Sequence, residues 1–138
     1  VTRVVFDTVG FVRGLINPIS RWGHILFDYA DDYQLIVSDP IILDVLDVLQ
    51  RPAIVRLFKT LPGRDVAAIV AILTDAQFVD VREILAVSRD PKNNKFLATA
   101  AQAGADYLVS EDQDLLVLRE YKGVHSVNAA TFLDLLEQ

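Results

Sequence analysis

Residues Thr2–Phe6 form a short run of β-branched and apolar side chains with no polar alternation, the pattern of a strand covered on both faces. That requirement narrows the fold more than any other feature of the chain, because both faces are covered mainly in parallel sheets with helices packed above and below. Similar runs occur at residues 35–37, 78–81, 107–109 and 124–127, the last alternating as an edge strand does. Between them, apolar residues recur at helical spacing over residues 21–29, 40–49, 64–74, 91–103 and 129–136. Five strands interleaved with helices predict a three-layer α/β/α sandwich around a central, mainly parallel sheet.

Several boundaries carry their own chemistry. Asp90-Pro91 pairs a capping carboxylate with a proline at the first helical position, and Gly104 ends the same helix. Asn128 is suited to cap the last helix, and Leu61-Pro62-Gly63-Arg64-Asp65 reads as a turn entering another. Without an internal repeat or linker, the 138 residues read as one domain, residues 1–138. No apolar run reaches the roughly 20 residues of a membrane span, and the start leads into a strand pattern rather than a signal peptide. A cytoplasmic location without membrane contact is therefore expected. The chain has no cysteine, which excludes disulfides and thiolate metal sites. Its net charge of −6 argues against non-specific coating of nucleic acid but not against a nuclease, whose metal-holding carboxylates themselves contribute negative charge.

Open α/β sheets bind ligands beyond the carboxyl ends of their strands, and acidic residues recur there: Asp7 after the first strand, Asp39 and Asp44 after the second, Asp90 before the helix that follows the third, and Asp112 and Asp114 after the fourth. At about 100° per residue, Asp44 falls beside the apolar face of its helix, whereas Asp47 points to solvent. By the same reckoning Asn93 points inward in the first turn of the helix that begins at Pro91, and Asn94 outward. Converging carboxylates repel one another, and a hard cation such as Mg²⁺ or Mn²⁺ relieves the repulsion. Such an ion can also activate water and stabilise charge during phosphodiester displacement. Taken singly, Asp7 and Asp112 are better explained as turn caps, so the set carries the argument.

The segments Val4-Val5-Phe6-Asp7-Thr8, Ser38 with Asp44 and Arg51-Pro52, Arg89-Asp90-Pro91-Lys92-Asn93-Asn94-Lys95-Phe96-Leu97, and residues 104–116 together resemble the PIN-domain family. The resemblance is greatest to its branch of bacterial toxin components, and it implies a metal-dependent ribonuclease held in check by a cognate antitoxin protein. Position by position, Asp7 matches the family's first acidic residue, Asp44 the second, and Asp112 with Asp114 the last cluster. The third acidic position falls on Asn93, and the asparagine expected two residues after the first aspartate is Val9. The asparagine amide brings no charge to a hard cation, so reduced or altered nuclease activity is expected. The resemblance further implies that Ser110 bonds a metal-bound water or a phosphate. A turn-stabilising hydroxyl explains the same residue.

Arg89, Lys92 and Lys95 are candidates for phosphate contacts, with a solvated helix terminus as the alternative; Arg13, Arg21 and Arg51 are weaker ones. Asp90 stands close enough in sequence to supplement Asn93, although capping accounts for it. His24 and His125 have no metal-ligand companion at helical spacing, and Trp22, Phe27 and Tyr29 read as core or dimer contacts. In PIN toxins, helices comparable to residues 21–29 and 64–74 build a homodimer and receive the antitoxin, so a homodimer is among the implied partners. Two functions follow from the resemblance: an Mg²⁺- or Mn²⁺-dependent endoribonuclease, or a degenerate PIN domain that binds RNA or a protein without cleaving. A receiver-like domain is disfavoured, since neither a phosphoacceptor Asp after a middle strand nor a Lys after the last is evident. P-loop, dinucleotide and nucleophile-elbow signatures are also lacking.

Overall fold

The computed structural model describes residues 1–60 and 66–138, with the backbone alone at 58–60 and 66–69. The turn expected at residues 61–65 lies outside the described residues. In chain order the elements are β1 (Thr2–Phe6), α1 (Thr8–Ile16), α2 (Arg21–Gly23) running into a π-turn (His24–Asp28), β2 (Tyr33–Val37), α3 (Asp39–Leu49), α4 (Pro52–Thr60) and α5 (Val66–Asp75). They continue with β3 (Gln77–Phe78), a 3₁₀ turn (Pro91–Asn93), α6 (Asn94–Ala103), β4 (Tyr107–Val109), α7 (Gln113–Leu116), β5 (Glu120–Tyr121), β6 (Val124–Val127) and α8 (Ala129–Leu136).

Among the described residues the sheet has six strands, not five, in the order β3-β2-β1-β4-β6-β5, with only β5 antiparallel to its neighbour. The added strand changes the edge: β6 lies inside β5 rather than at the margin. Lys122 and Gly123 both have positive φ, 51° and 84°, the backbone twist that a tight β5–β6 hairpin needs. The third strand is shorter than the apolar run at residues 78–81 suggests. Val79 N still donates to Val37 O at 2.9 Å, and beyond it the chain meets α6, where Gln102 donates to the carbonyl of Asp80 and accepts from Arg82 N. An amide side chain there takes the place of a neighbouring strand.

Strand alternation sorts the core. Phe6, Tyr33 and Tyr107 meet Trp22 and Phe132 in edge-on and tilted ring contacts at 5.5–6.1 Å on the face covered by α2 and α8. On the opposite face, Arg3 Nη1 reaches the carbonyl of Ala103 at the end of α6. Val4, Val5, Leu108 and Val109 are wholly inaccessible, and complete burial of such side chains is worth about 1.5–3 kcal/mol each. Helix α1 lies outside the helices expected from the sequence, since Gly10 and Gly14 each weaken a helix by about 1 kcal/mol relative to alanine. Packing explains them: a Cβ on Gly10 would lie 2.2 Å from the Trp22 ring, and one on Gly14 2.4 Å from Leu26 Cδ1. Gly104 ends α6 with φ 66°, as expected of a left-handed cap. Among the described residues no helix is long and apolar enough to cross a membrane.

Candidate functional site

The strand order fixes where a site can form. From β1 the chain adds β2 and β3 on one side and then returns to place β4 on the other, so the topological switch falls between β1 and β4. Asp7 follows β1 and Ser110 follows β4. Their backbones stay joined beyond the strands, Asp7 N donating to Val109 O at 3.1 Å.

Asp7 caps α1, accepting from Gly10 N at 2.8 Å through Oδ1. Its other oxygen accepts from Ser110 Oγ at 2.5 Å, and the same hydroxyl accepts from Asp112 N at 2.9 Å. Asp112 in turn caps α7, Oδ1 accepting from Asp114 N at 2.8 Å and Oδ2 from Asn93 Nδ2 at 3.1 Å. Asp7 and Asn93 are each 6% exposed and Ser110 is wholly buried. Burial pushes the Asp7 carboxyl above its ordinary range; the bonds from Ser110 and Gly10 oppose this, and the nearby charges of Asp112 and Glu111 add to it.

The remaining acidic groups are held differently. Asp44, half-buried on α3, accepts from Thr8 Oγ1 at 2.5 Å and lies 3.2 Å from Lys95 Nζ. Asp114 pairs with Arg89 at 2.7 Å. Asp90 caps the 3₁₀ turn through a 3.1 Å bond from Lys92 N, and Asp47 is exposed with Arg51 at 3.4 Å. Asn94 does not project outward: it is buried, and its Oδ1 accepts from Val87 N at 3.1 Å and Ser88 N at 2.8 Å. The 3₁₀ turn accounts for the difference, because tighter winding before α6 rotates the following residue off the face a continuous α-helix would give it.

A cavity of about 460 Å³ opens over these groups. Asp7, Asp44, Asp90, Asn93, Asp112 and Val9 line it, as do Lys92, Lys95 and Arg51, but Asp114 and Ser110 are not on its wall. Glu111 and Thr8, which fall on none of the acidic positions expected from the sequence, are also on it. Thr8 follows Asp7 directly, which was a usable signal; Glu111 is drawn in because Oε1 accepts from Ala129 N at 3.0 Å. Among the described residues, five carboxylates therefore face three cations across one opening. Arg13 and Arg21 do not line it.

A sequence model of the PIN domain matches residues 3–114. The chain belongs to the PIN-domain family. This PIN domain superposes on VapBC2 from Rickettsia felis, solved bound to a DNA fragment from its promoter, with TM-score 0.59 at 10% identity, covering 92% of this chain and 98% of that one. It also superposes on PAE2754 from Pyrobaculum aerophilum, with TM-score 0.56 at 14% identity, covering 99% and 90%. At such identities the likeness establishes the fold alone. No curated protein sequence matches the chain.

PIN domains depend in general on divalent metal, and the donors here suit a hard cation in kind: carboxylate oxygens of Asp7 and Asp112 with the amide oxygen of Asn93. Among the described residues no cation of the chain pairs with Asp7, the buried carboxylate that faces two others, and a bound ion would relieve that repulsion. The site is not a finished cage. Among the described residues no three acidic or histidine side chains stand close enough to hold one ion, and Asp44 and Asp114 are engaged by Lys95 and Arg89.

Proposed function

We propose that this PIN domain is a divalent-metal-dependent endoribonuclease of attenuated activity, the toxin member of a toxin–antitoxin pair acting in the cytoplasm. The observation that carries this reading is the buried Asp7 carboxylate at the topological switch, facing Asp112, Glu111 and Asn93 across an open cavity with cations at its rim. Asp7, Asp112 and Asn93 would hold Mg²⁺ or Mn²⁺, with Asp44 and Asp114 as further acidic members. Bound there, such an ion supplies polarisation of the phosphodiester and charge to balance the leaving oxygen. Ser110 positions Asp7 by donating to one of its oxygens, and its own acceptance from Asp112 N sets the spacing between the two carboxylates. Lys92 and Arg51 on the rim are suited to receive RNA phosphates as point charge and planar fork.

Attenuation follows from Asn93, which offers a neutral donor where an acid is expected, and from Val9, exposed at the cavity wall where an amide is expected. The cognate antitoxin and a homodimer are the partners this reading requires, and the structural likeness to VapBC2 supports the first.

One observation favours a second reading, a non-catalytic PIN domain that binds RNA or a partner protein. The Asn93–Asp112 hydrogen bond satisfies Asp112 without any ion. Mn²⁺ and Mg²⁺ titration by calorimetry, paired with cleavage of a mixed RNA substrate, separates the two. Metal binding and metal-dependent cleavage, both lost in Asp7→Asn, are expected of the nuclease; no metal uptake at millimolar concentration and no cleavage would leave the binding module.

A further inference from the structure

The acidic groups around the cavity differ in what neutralises them. Among the described residues, Asp7 and Asp112 have hydrogen-bond donors but no cation, whereas Asp44 has both oxygens occupied: Thr8 Oγ1 donates to Oδ2 at 2.5 Å, and Lys95 Nζ lies 3.2 Å from Oδ1. Lys95 is no freely solvated surface lysine. Its side chain is 21% exposed, it lines the same cavity as Asp7 and Asp112, and its ammonium stands 5.4 Å from the centre of the Phe96 ring. A half-buried ion pair is screened less than a surface one, and its ammonium repels any second cation entering the same cavity.

We infer that Lys95 is an internal counter-ion that occupies Asp44 in the free protein, so that a divalent ion gains the Asp44 carboxylate only by displacing the lysine. The inference rests on the reading of the cavity as a divalent-ion site and assigns a self-inhibiting contact within it. Asn93 and Lys95, two residues apart at the start of α6, then act together: one withholds a charge from the ion, and the other supplies a competitor. Lys92 lines the same cavity but, among the described residues, has no carboxylate within ion-pair distance, and it serves as the internal control for charge alone.

Calorimetric titration with Mn²⁺ of the native chain, Lys95→Met, Lys95→Gln, Lys92→Met and Lys95→Met combined with Asp44→Asn tests this directly. Removing Lys95 is expected to tighten Mn²⁺ binding about threefold to tenfold, the scale of a partly exposed ion pair, and removing Lys92 by less than about twofold. The gain should vanish when Asp44→Asn is added, because the lysine acts through that carboxylate. Unchanged or weaker binding in both Lys95 variants overturns the inference, as does a gain that survives Asp44→Asn. If neither the native chain nor Asn93→Asp takes up Mn²⁺, the reading of the cavity falls and the inference falls with it. Native binding without a Lys95 effect removes the inference alone.

Discussion

The two halves of the acidic site are built on opposite plans. Asp7, Ser110 and Asp112 stand on the ends of neighbouring central strands and are fixed by hydrogen bonds from hydroxyl and backbone donors, with no cation of the chain paired to either carboxylate among the described residues. Asp44 and Asp114 stand on α3 and α7, are partly exposed, and are each met by a basic side chain from α6 or the segment before it. The first half keeps the buried Asp7 charge in place at a cost, because desolvation and like charge both oppose it. The second half has its charge cancelled. An ion-binding function would draw on the first and need only modest help from the second, and that ranking can be tested residue by residue.

Asp7→Asn should have the largest effect on activity and one of the smallest on stability. Asparagine is a good helix cap and needs less desolvation, which offsets the acceptor that the Ser110 hydroxyl loses, so the melting temperature should change little. Metal-dependent cleavage should fall at least about 100-fold, beyond the 10–100-fold that loss of an outer partner of a metal ligand produces. Asp44→Asn should cost less. Equal losses for Asp7→Asn and Asp44→Asn in single-turnover cleavage would erase the distinction between the halves.

Ser110→Ala comes next and inverts the pattern. It removes the hydroxyl that bridges Asp7 and Asp112 N, leaving a wholly buried position without its donor. A loss of about 1–3 kcal/mol in denaturant unfolding is expected, since a buried acceptor and a buried donor both lose their partner. Activity should fall about 10–100-fold, and Ser110→Thr should recover part of both. Stability unchanged in Ser110→Ala would mean that the bridge does not fix the carboxylates.

Asn93→Asp sharpens the comparison by moving a charge into the first half. Without metal, its carboxylate replaces a donor to Asp112 with a like charge, and the melting temperature should drop by a few degrees, the effect of roughly 1 kcal/mol in a domain of this size. With Mn²⁺ the loss should reverse and affinity should rise several-fold. Destabilisation that metal does not repair would place Asn93 outside the ion's reach.

How much of this was readable in the sequence depends on what holds each part. The apolar runs at Thr2–Phe6, Tyr107–Val109 and Val124–Val127 and the Asp90 and Asn128 caps are local signals, and the strands and turns stand where those signals put them. Helix α1 was invisible because Gly10 and Gly14 argue against it locally, and only the approach of Trp22 and Leu26 makes them the right residues. Strand β5 was missed because a Lys122-Gly123 turn lacks the usual Asn-Gly signature, and α4, entered at Pro52 straight after α3, left too short a gap to be noticed. In the site, positions beyond strand ends could be read from spacing. The pairing of Lys95 with Asp44 and the entry of Glu111 could not, because each depends on which neighbouring helix presents a partner.

The smallest expected effect belongs to Arg89→Gln. Its guanidinium is 69% exposed and Asp114 34% exposed, so the 2.7 Å pair is largely screened, and stability should move by no more than about 0.5 kcal/mol. Asp114 lies off the cavity wall, and freeing its charge next to Asp112 should tighten Mn²⁺ binding by no more than about twofold if it acts only through water. A tenfold gain would mean that Asp114 swings into the cavity once Arg89 releases it, giving the two basic residues, Arg89 and Lys95, the same restraining role on opposite sides of Asn93. A change near zero would leave Lys95 as the restraint that matters, because Lys95 alone of the two lines the cavity and meets its carboxylate in partial burial.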